Sequence, residues 1–214
     1  MLDIPAHAAS WYAPFVLPLC LYVCYTDMKW MRITNRTVVA LALVFAVAGY
    51  LLLPLESYLW RYVHLGVVLV AGIALNAGGV LGAGDAKFAA AAAPFVHLAD
   101  LRFLMALFAA NLLAAFVTHR LARATPLRRL APDWKSWSSG TRFPMGLALG
   151  GTLALYLVLG MIYAPTVRRF GEWATAMLML RRARKQYLVA LAVVLIVYLM
   201  GRLPFVDASD VTTF

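Results

Sequence analysis

The stretch that decides the fold is 62–81, YVHLGVVLVAGIALNAGGVL, which runs directly into Gly82-Ala83-Gly84-Asp85-Ala86-Lys87. Its 20 residues include no Asp, Glu, Lys or Arg. An apolar run of about 20 residues is long enough to cross a bilayer as one α-helix. The sequence therefore predicts a membrane span that ends at a glycine-flanked aspartate.

The composition of the whole chain agrees with a membrane protein. Of its 214 residues, 64% are hydrophobic and 13% charged, and the mean hydropathy is +0.82. Soluble chains carry roughly 45–50% apolar and about 25% charged residues. The net charge of +10 lies in short clusters between apolar runs, which is typical of cytoplasmic loops. No basic face is interleaved with stacking aromatic residues, so we expect a lipid bilayer and no nucleic acid as partner.

Further apolar runs predict an all-α, polytopic transmembrane helix bundle with about six core spans and an extra C-terminal helix. The spans are expected near 9–26, 37–55, 62–81, 86–97, 101–118, 143–164 and 187–203. We divide the chain into a transmembrane domain, 1–165, and a basic segment with the extra helix, 166–214. The first ten residues contain no Lys or Arg, so the first run is expected to stay as a span rather than act as a cleaved signal.

Loop charge predicts the orientation. The basic loops 27–36 and 119–142 are expected in the cytoplasm, which places the N-terminus outside and the protein in the cell inner (plasma) membrane. Asp27 and Asp85 then emerge on the same, cytoplasmic side. The basic segment 165–186 conflicts with this alternation, so either part of it dips into the membrane or the last helix inserts against its charge bias.

The run 86–97 is too short to span. Twelve helical residues cover about 18 Å, against a hydrocarbon core of roughly 30 Å. If this helix ends at the outer surface, Asp85 lies about 12 Å below the inner one. We therefore expect a water-filled recess around Asp85, because charge at such depth is tolerated only in a cavity lined by protein.

Asp27 and Asp85 are the best candidates for chemistry among the nine acidic residues, because acidic groups at membrane depth are costly and usually functional. Each also has a structural alternative. Asp85 suits a helix N-cap, and Asp27 suits a cap or an ion pair with Lys29 or Arg32. The other acidic residues are expected to be solvated charges in loops or tails: Asp3, Glu56, Asp100, Asp133, Glu172, Asp207 and Asp210.

Two carboxylates brought close together cannot both ionise easily, so one keeps a proton near neutral pH. The ionised group can then accept a proton from water while the other donates to a peptide carbonyl, which is amide hydrolysis without a metal. We expect no cofactor. Cys20 and Cys24 lie on one helical face and are interpreted as small apolar fillers rather than half of a zinc site.

Three motifs together resemble the type IV prepilin peptidases of the GxGD aspartic class, in particular the small form of tight-adherence (Flp-type) pilus systems. They are D-x5-I-x-N at 27–35, G-x-G-D-x-K at 82–87, and FPMGLALG at 143–150. The resemblance implies that Asp27 and Asp85 are catalytic and that four residues support the active-site motif: Gly82, Gly84, Lys87 and Asn35. Lys87 is expected to be a counter-charge, a phospholipid contact or an interfacial anchor.

The resemblance also implies the substrates and the limits of the activity. We expect prepilins or pseudopilins as substrates, cleaved after the basic leader at the cytoplasmic face, and pilus or type II secretion machinery as a further partner. Larger members carry paired C-x-x-C motifs linked to N-methylation; this sequence has none, so no methyltransferase activity is expected. The family's usual Pro before the motif asparagine is Thr34, and Met145 stands where an aromatic ring is favoured.

Other functions remain open at this point. An archaeal preflagellin peptidase shares the same chemistry, whereas a presenilin-like protease would need Y-D and P-A-L motifs that are absent. A small proton-coupled transporter could use both aspartates as relays. A non-catalytic assembly partner of a secretion machine would not need them.

Overall fold

The structure, a computed structural model, describes residues 2–140 and 142–163, and these form helices and loops without a β-strand. The α-helices are α1 Ala6–Trp30, α2 Asn35–Val44, α3 Tyr50–Leu52, α4 Leu55–Ala77, α5 Ala83–Ala92, α6 Leu101–Ala124 and α7 Met145–Tyr163. A π-helical turn, Phe45–Gly49, joins α2 to α3, so Asn35–Leu52 runs as one rod.

Five of these rods are long and apolar enough to cross a membrane: Ala6–Trp30, Asn35–Leu52, Leu55–Ala77, Leu98–Ala124 and Met145–Tyr163. The chain is thus an all-α, multi-pass bundle, as predicted. The predicted short run 86–97 corresponds to α5. This helix is short, as expected, but it begins at Ala83 and is followed after Ala92 by a 3₁₀ turn that contains Pro94. The predicted helix 187–203, with the rest of 166–214, lies outside the described residues.

The central contact of the bundle is between the first and last described helices, α1 and α7. Their backbones approach closely because Gly150 has no side chain: a Cβ there would lie 2.9 Å from the Cys20 carbonyl oxygen and 3.0 Å from Cys24 Sγ. Both cysteines are free thiols, and Cys20 is buried. They therefore act as the predicted small fillers, packed against a glycine of the neighbouring helix.

Helix α5 lies inside the bundle, in contact with α2, α4 and α7. Small residues on both helices make this possible. Ala86 of α5 packs against Gly72 of α4, where an added Cβ would lie 2.9 Å from Ala86 Cβ. Small residues at a helix contact allow close backbone approach in membrane proteins. The alanine-rich composition of α5 thereby holds the Gly82–Lys87 motif between three other helices.

Asp100 corrects one expectation, because it is not a solvated loop charge. It is only 3% exposed, and its carboxylate accepts hydrogen bonds from the backbone N–H groups of Asp3 (2.8 Å) and Ile4 (3.0 Å) and from the Tyr156 hydroxyl (2.6 Å). Three donors offset the cost of removing the charge from water. Asp100 thus ties the start of α1 to α7, at the end of α1 opposite Asp27.

We predict that Tyr156→Phe lowers the free energy of unfolding in detergent by about 1.5–3 kcal/mol, because it removes a hydrogen bond to a buried carboxylate. Tyr163→Phe, on the exposed end of the same helix, is the matched control and should change it by less than about 0.5 kcal/mol. Chemical denaturation followed by circular dichroism measures both values. Equal effects of the two changes would contradict the role assigned to Asp100.

Candidate active site

Asp27 lies in the last turn of α1 and is 5% exposed. Its Oδ2 accepts the backbone N–H of Gly146, in the first turn of α7, at 2.6 Å. The first N–H groups of a helix have no partner within that helix and favour a negative charge. The carboxylate is therefore held by the N-terminus of α7, and the alternatives of a cap on α1 or an ion pair with Lys29 or Arg32 are wrong.

Lys29 belongs to an aromatic cluster instead. Its Nζ donates to the Tyr25 hydroxyl at 3.0 Å and lies 4.9 Å from the centroid of the Trp30 ring. Helix α1 ends just beyond, where Met31 adopts the left-handed conformation (φ 55°) and its N–H bonds to the Asp27 carbonyl oxygen. The chain thus leaves the helix at Met31, one helical turn after Asp27.

The contact between Asp27 and Gly146 leaves no room for a side chain. A Cβ on Gly146 would lie 2.8 Å from Asp27 Cβ and 3.0 Å from Asp27 Oδ2. The motif 143–150 therefore supplies the hydrogen-bond partner of one candidate catalytic residue. The motif was expected from the family resemblance, but nothing local in the sequence connects it to Asp27.

Asp85 lies in the first turn of α5, where Gly82 is the N-cap residue. The alternative that Asp85 is itself the N-cap is therefore wrong. Its carboxylate folds back over Gly82 instead: a Cβ on Gly82 would lie 2.6 Å from Asp85 Oδ2, and the Gly82 backbone is hydrogen-bonded to the carboxylate. Glycine at position 82 thus leaves the space that the Asp85 carboxylate occupies.

The motif segments 27–35 and 82–87, each a loop together with the helix turns beside it, touch each other. Ile33 packs on Gly84, where a Cβ would lie 3.4 Å from Ile33 Cβ, and Lys87 Nζ donates to Asn35 Oδ1 at 3.3 Å. These contacts join residues about fifty positions apart in sequence. All four predicted support residues, Gly82, Gly84, Lys87 and Asn35, therefore lie in these two motif segments.

Thr34, which replaces the family's usual proline, has a structural role of its own. It is the N-cap of α2, and its Oγ1 accepts the backbone N–H of Thr37 at 3.3 Å. A threonine N-cap satisfies one of the free amides at a helix start, as a proline cannot. The loop between α1 and α2 therefore still ends at a defined helix start, although Thr34 replaces the proline.

Electrostatics couple the two aspartates. Asp85 lies outside the five candidate spans, and its pKa is raised from 3.8 to about 6, first by burial and second by the negative charge of Asp27. The hydrogen bond with the Gly82 backbone acts in the opposite direction. The Asp27 charge thus favours the protonated form of Asp85, and a carboxyl group that titrates near neutral pH suits general acid–base chemistry.

Among residues 2–140 and 142–163, no group of three or more His, Cys, Asp or Glu side chains is placed to hold a metal ion. The arrangement around Asp27 and Asp85 consists of two carboxylates, glycines, and the pair of Asn35 and Lys87. Acid–base chemistry by the carboxylates is the reaction that these groups themselves can perform.

The family model described as the type IV leader peptidase family matches residues 15–119. This match supports a type IV leader peptidase relationship for that part of the chain. The matched region includes Asp27, Asp85 and both of their loops, whereas Gly146 lies beyond it. Searches of curated proteins and of solved structures gave no match. The family match implies a peptidase, and the five long apolar helices are those expected of a multi-pass membrane protein.

We predict that Gly146→Ala lowers the free energy of unfolding by about 1–3 kcal/mol, because the added methyl group overlaps the Asp27 side chain. Gly66→Ala is the matched control, since nothing lies within 4 Å of a Cβ there and alanine favours a helix. Denaturation in detergent compares the two variants. A Gly146→Ala protein as stable as Gly66→Ala would contradict the close contact described here.

Proposed function

We propose that this chain is a membrane-embedded aspartic endopeptidase that removes the basic leader peptide from type IV (Flp-like) prepilins at the cytoplasmic membrane face. Asp27 and Asp85 are the proposed catalytic pair. The observation that carries the proposal is their electrostatic coupling: within the segment that matches the leader peptidase family, buried Asp27 raises the pKa of Asp85.

In the proposed reaction the pair shares one proton. The ionised carboxylate takes a proton from a water molecule, whose oxygen attacks the carbonyl carbon of the scissile peptide bond. The protonated carboxyl group donates its proton to the carbonyl oxygen. When the C–N bond of the tetrahedral intermediate breaks, the proton taken from water passes to the leaving amine. One hydroxyl proton of the intermediate returns to the carboxylate that had protonated the carbonyl oxygen, so one free carboxyl and one free amine result and the pair again shares one proton.

The surrounding residues suit this reaction. Gly82 and Ala83 are exposed, so a peptide backbone can come close to Asp85. The hydrogen bond between Lys87 and Asn35 holds the Asp85 loop against the loop that follows Asp27. A site built on two acidic groups also complements the positive charge of a prepilin leader.

The proposed setting follows from loop charge. The N-terminus lies outside, the two motif loops face the cytoplasm, and a wet recess around Asp85 admits water and the leader. Pilus or type II secretion machinery would receive the mature product. We further propose cleavage without N-methylation, because the chain's two cysteines do not form the paired C-x-x-C motifs of the larger members.

Co-expression with a prepilin encoded in the same genome tests the proposal. We predict that Asp27→Asn and Asp85→Asn each reduce leader removal by at least about 100-fold, because each removes one partner of the acid–base pair. Asp133→Asn, on an exposed loop residue, is the matched control and should leave processing unchanged. A gel shift of the prepilin, with mass spectrometry of the new N-terminus, measures the reaction.

Other results of this experiment would count against the proposal. Unchanged processing in either Asp27→Asn or Asp85→Asn excludes the pair as catalytic and fits an assembly partner. No processing by the wild type, with a proton flux that survives Asp→Glu but not Asp→Asn, would indicate a proton-coupled transporter.

A further inference from the structure

The basic loop 119–142, which includes the last turns of α6, is fixed against the end of the bundle that carries Asp27. Trp137 stacks on His119 of α6 with ring centroids 5.2 Å apart, and Trp134 stacks on Trp137 at 5.7 Å. Trp134 also meets the Tyr25 ring of α1, edge to face, at 6.2 Å. This row of rings gives the loop a defined position beside the membrane-spanning helices.

One turn of this loop exposes apolar side chains. Helix α6 ends at Ala124, and Pro126–Leu130 then forms a 3₁₀ turn. Leu127 is 58% and Leu130 84% exposed. A 3₁₀ helix has three residues per turn, so these two leucines share one face, and Arg128 and Arg129, both exposed, lie beside them.

The charge around this turn is strongly positive. Against one acidic residue, Asp133, the loop carries six basic ones: Arg120, Arg123, Arg128, Arg129, Lys135 and Arg142. Arg123 donates to the Gly140 carbonyl oxygen at 3.2 Å, which links the two ends of the loop. The segment is therefore strongly net positive, and Arg128 and Arg129 lie in the same turn as the two exposed leucines.

The turn also lies at the level of the membrane surface. The 24 residues of α6 extend for about 36 Å, somewhat more than a hydrocarbon core of roughly 30 Å. The chain therefore leaves the core before Ala124 and enters the turn among the lipid headgroups. At that level, apolar side chains can enter the acyl boundary while basic ones meet phosphate groups.

We propose that the turn Pro126–Leu130 is a docking surface for anionic phospholipid. Leu127 and Leu130 insert at the acyl boundary, and Arg128 and Arg129 bind the headgroup phosphates. The arginines alone would attract an acidic protein equally, but the two exposed leucines and the position of the turn favour lipid. The surface would anchor the aromatic row, and with it the loop that leads into α7.

A nitroxide spin label tests this proposal in the full-length protein, independently of any peptidase activity. Leu130→Cys is labelled in a Cys20→Ala/Cys24→Ala background and reconstituted into vesicles of phosphatidylcholine alone or with phosphatidylglycerol. Ser138→Cys, also exposed in the same loop but away from the leucine face, is the matched control. Relaxation by oxygen, which dissolves in the bilayer, is compared with relaxation by a water-soluble nickel complex.

With phosphatidylglycerol, the label at 130 should become accessible to oxygen and protected from nickel, whereas the label at 138 stays accessible to nickel. Adding Arg128→Gln/Arg129→Gln should weaken insertion of residue 130 by about 30-fold, because each basic residue near an anionic surface contributes roughly 1 kcal/mol. Insertion that is equal in both vesicles, or unaffected by loss of the arginines, would overturn the role of the headgroup. A label at 130 that stays in water in both vesicles would overturn the lipid surface and favour an acidic protein partner.

Discussion

The hydrogen bond between the Gly146 N–H and the Asp27 carboxylate is the interaction on which the rest of the site depends. It joins the last turn of the first helix to the first turn of the last described helix, at an N···O distance of 2.6 Å. A carboxylate that is 5% exposed loses most of its hydration, and a free amide at a helix N-terminus replaces part of it. The bond forms only because position 146 lacks a side chain. The same glycine thus allows the close packing of the two helices and the hydrogen bond that stabilises the Asp27 charge.

The second carboxylate is brought to this place by separate contacts. The packing of Ile33 on Gly84 and the hydrogen bond from Lys87 to Asn35 hold the two loops together. This arrangement costs stability. The pKa of Asp85 in the folded state, about 6, lies above its ordinary value of 3.8. Its contribution to the free energy of unfolding is therefore complete below pH 3.8 and is lost as the pH rises through about 6. A fold that keeps such a pair at neutral pH is typical of a functional site.

Much of this could be predicted from the sequence, because apolar length and loop motifs are local signals. The long spans, the short helix after Asp85 and the two candidate aspartates all follow from stretches of about twenty residues or fewer. The partner of Asp27 could not be predicted, since Gly146 lies 119 positions away and only tertiary packing brings it close. Asp100 was misjudged for the same reason: a short 3₁₀ turn looks like an exposed loop, and its three donors come from both ends of the chain's described part.

The central claim is that Asp27 and Asp85 titrate as neighbours, and infrared spectroscopy of protonated carboxyl groups measures this directly. In detergent-solubilised wild type, a carboxyl band that Asp85→Asn abolishes should titrate near pH 6. In Asp27→Asn the same band should titrate at lower pH, because the negative charge that raises the pKa of Asp85 is gone. A band of Asp85 that titrates at the same pH with and without the Asp27 charge would contradict the account.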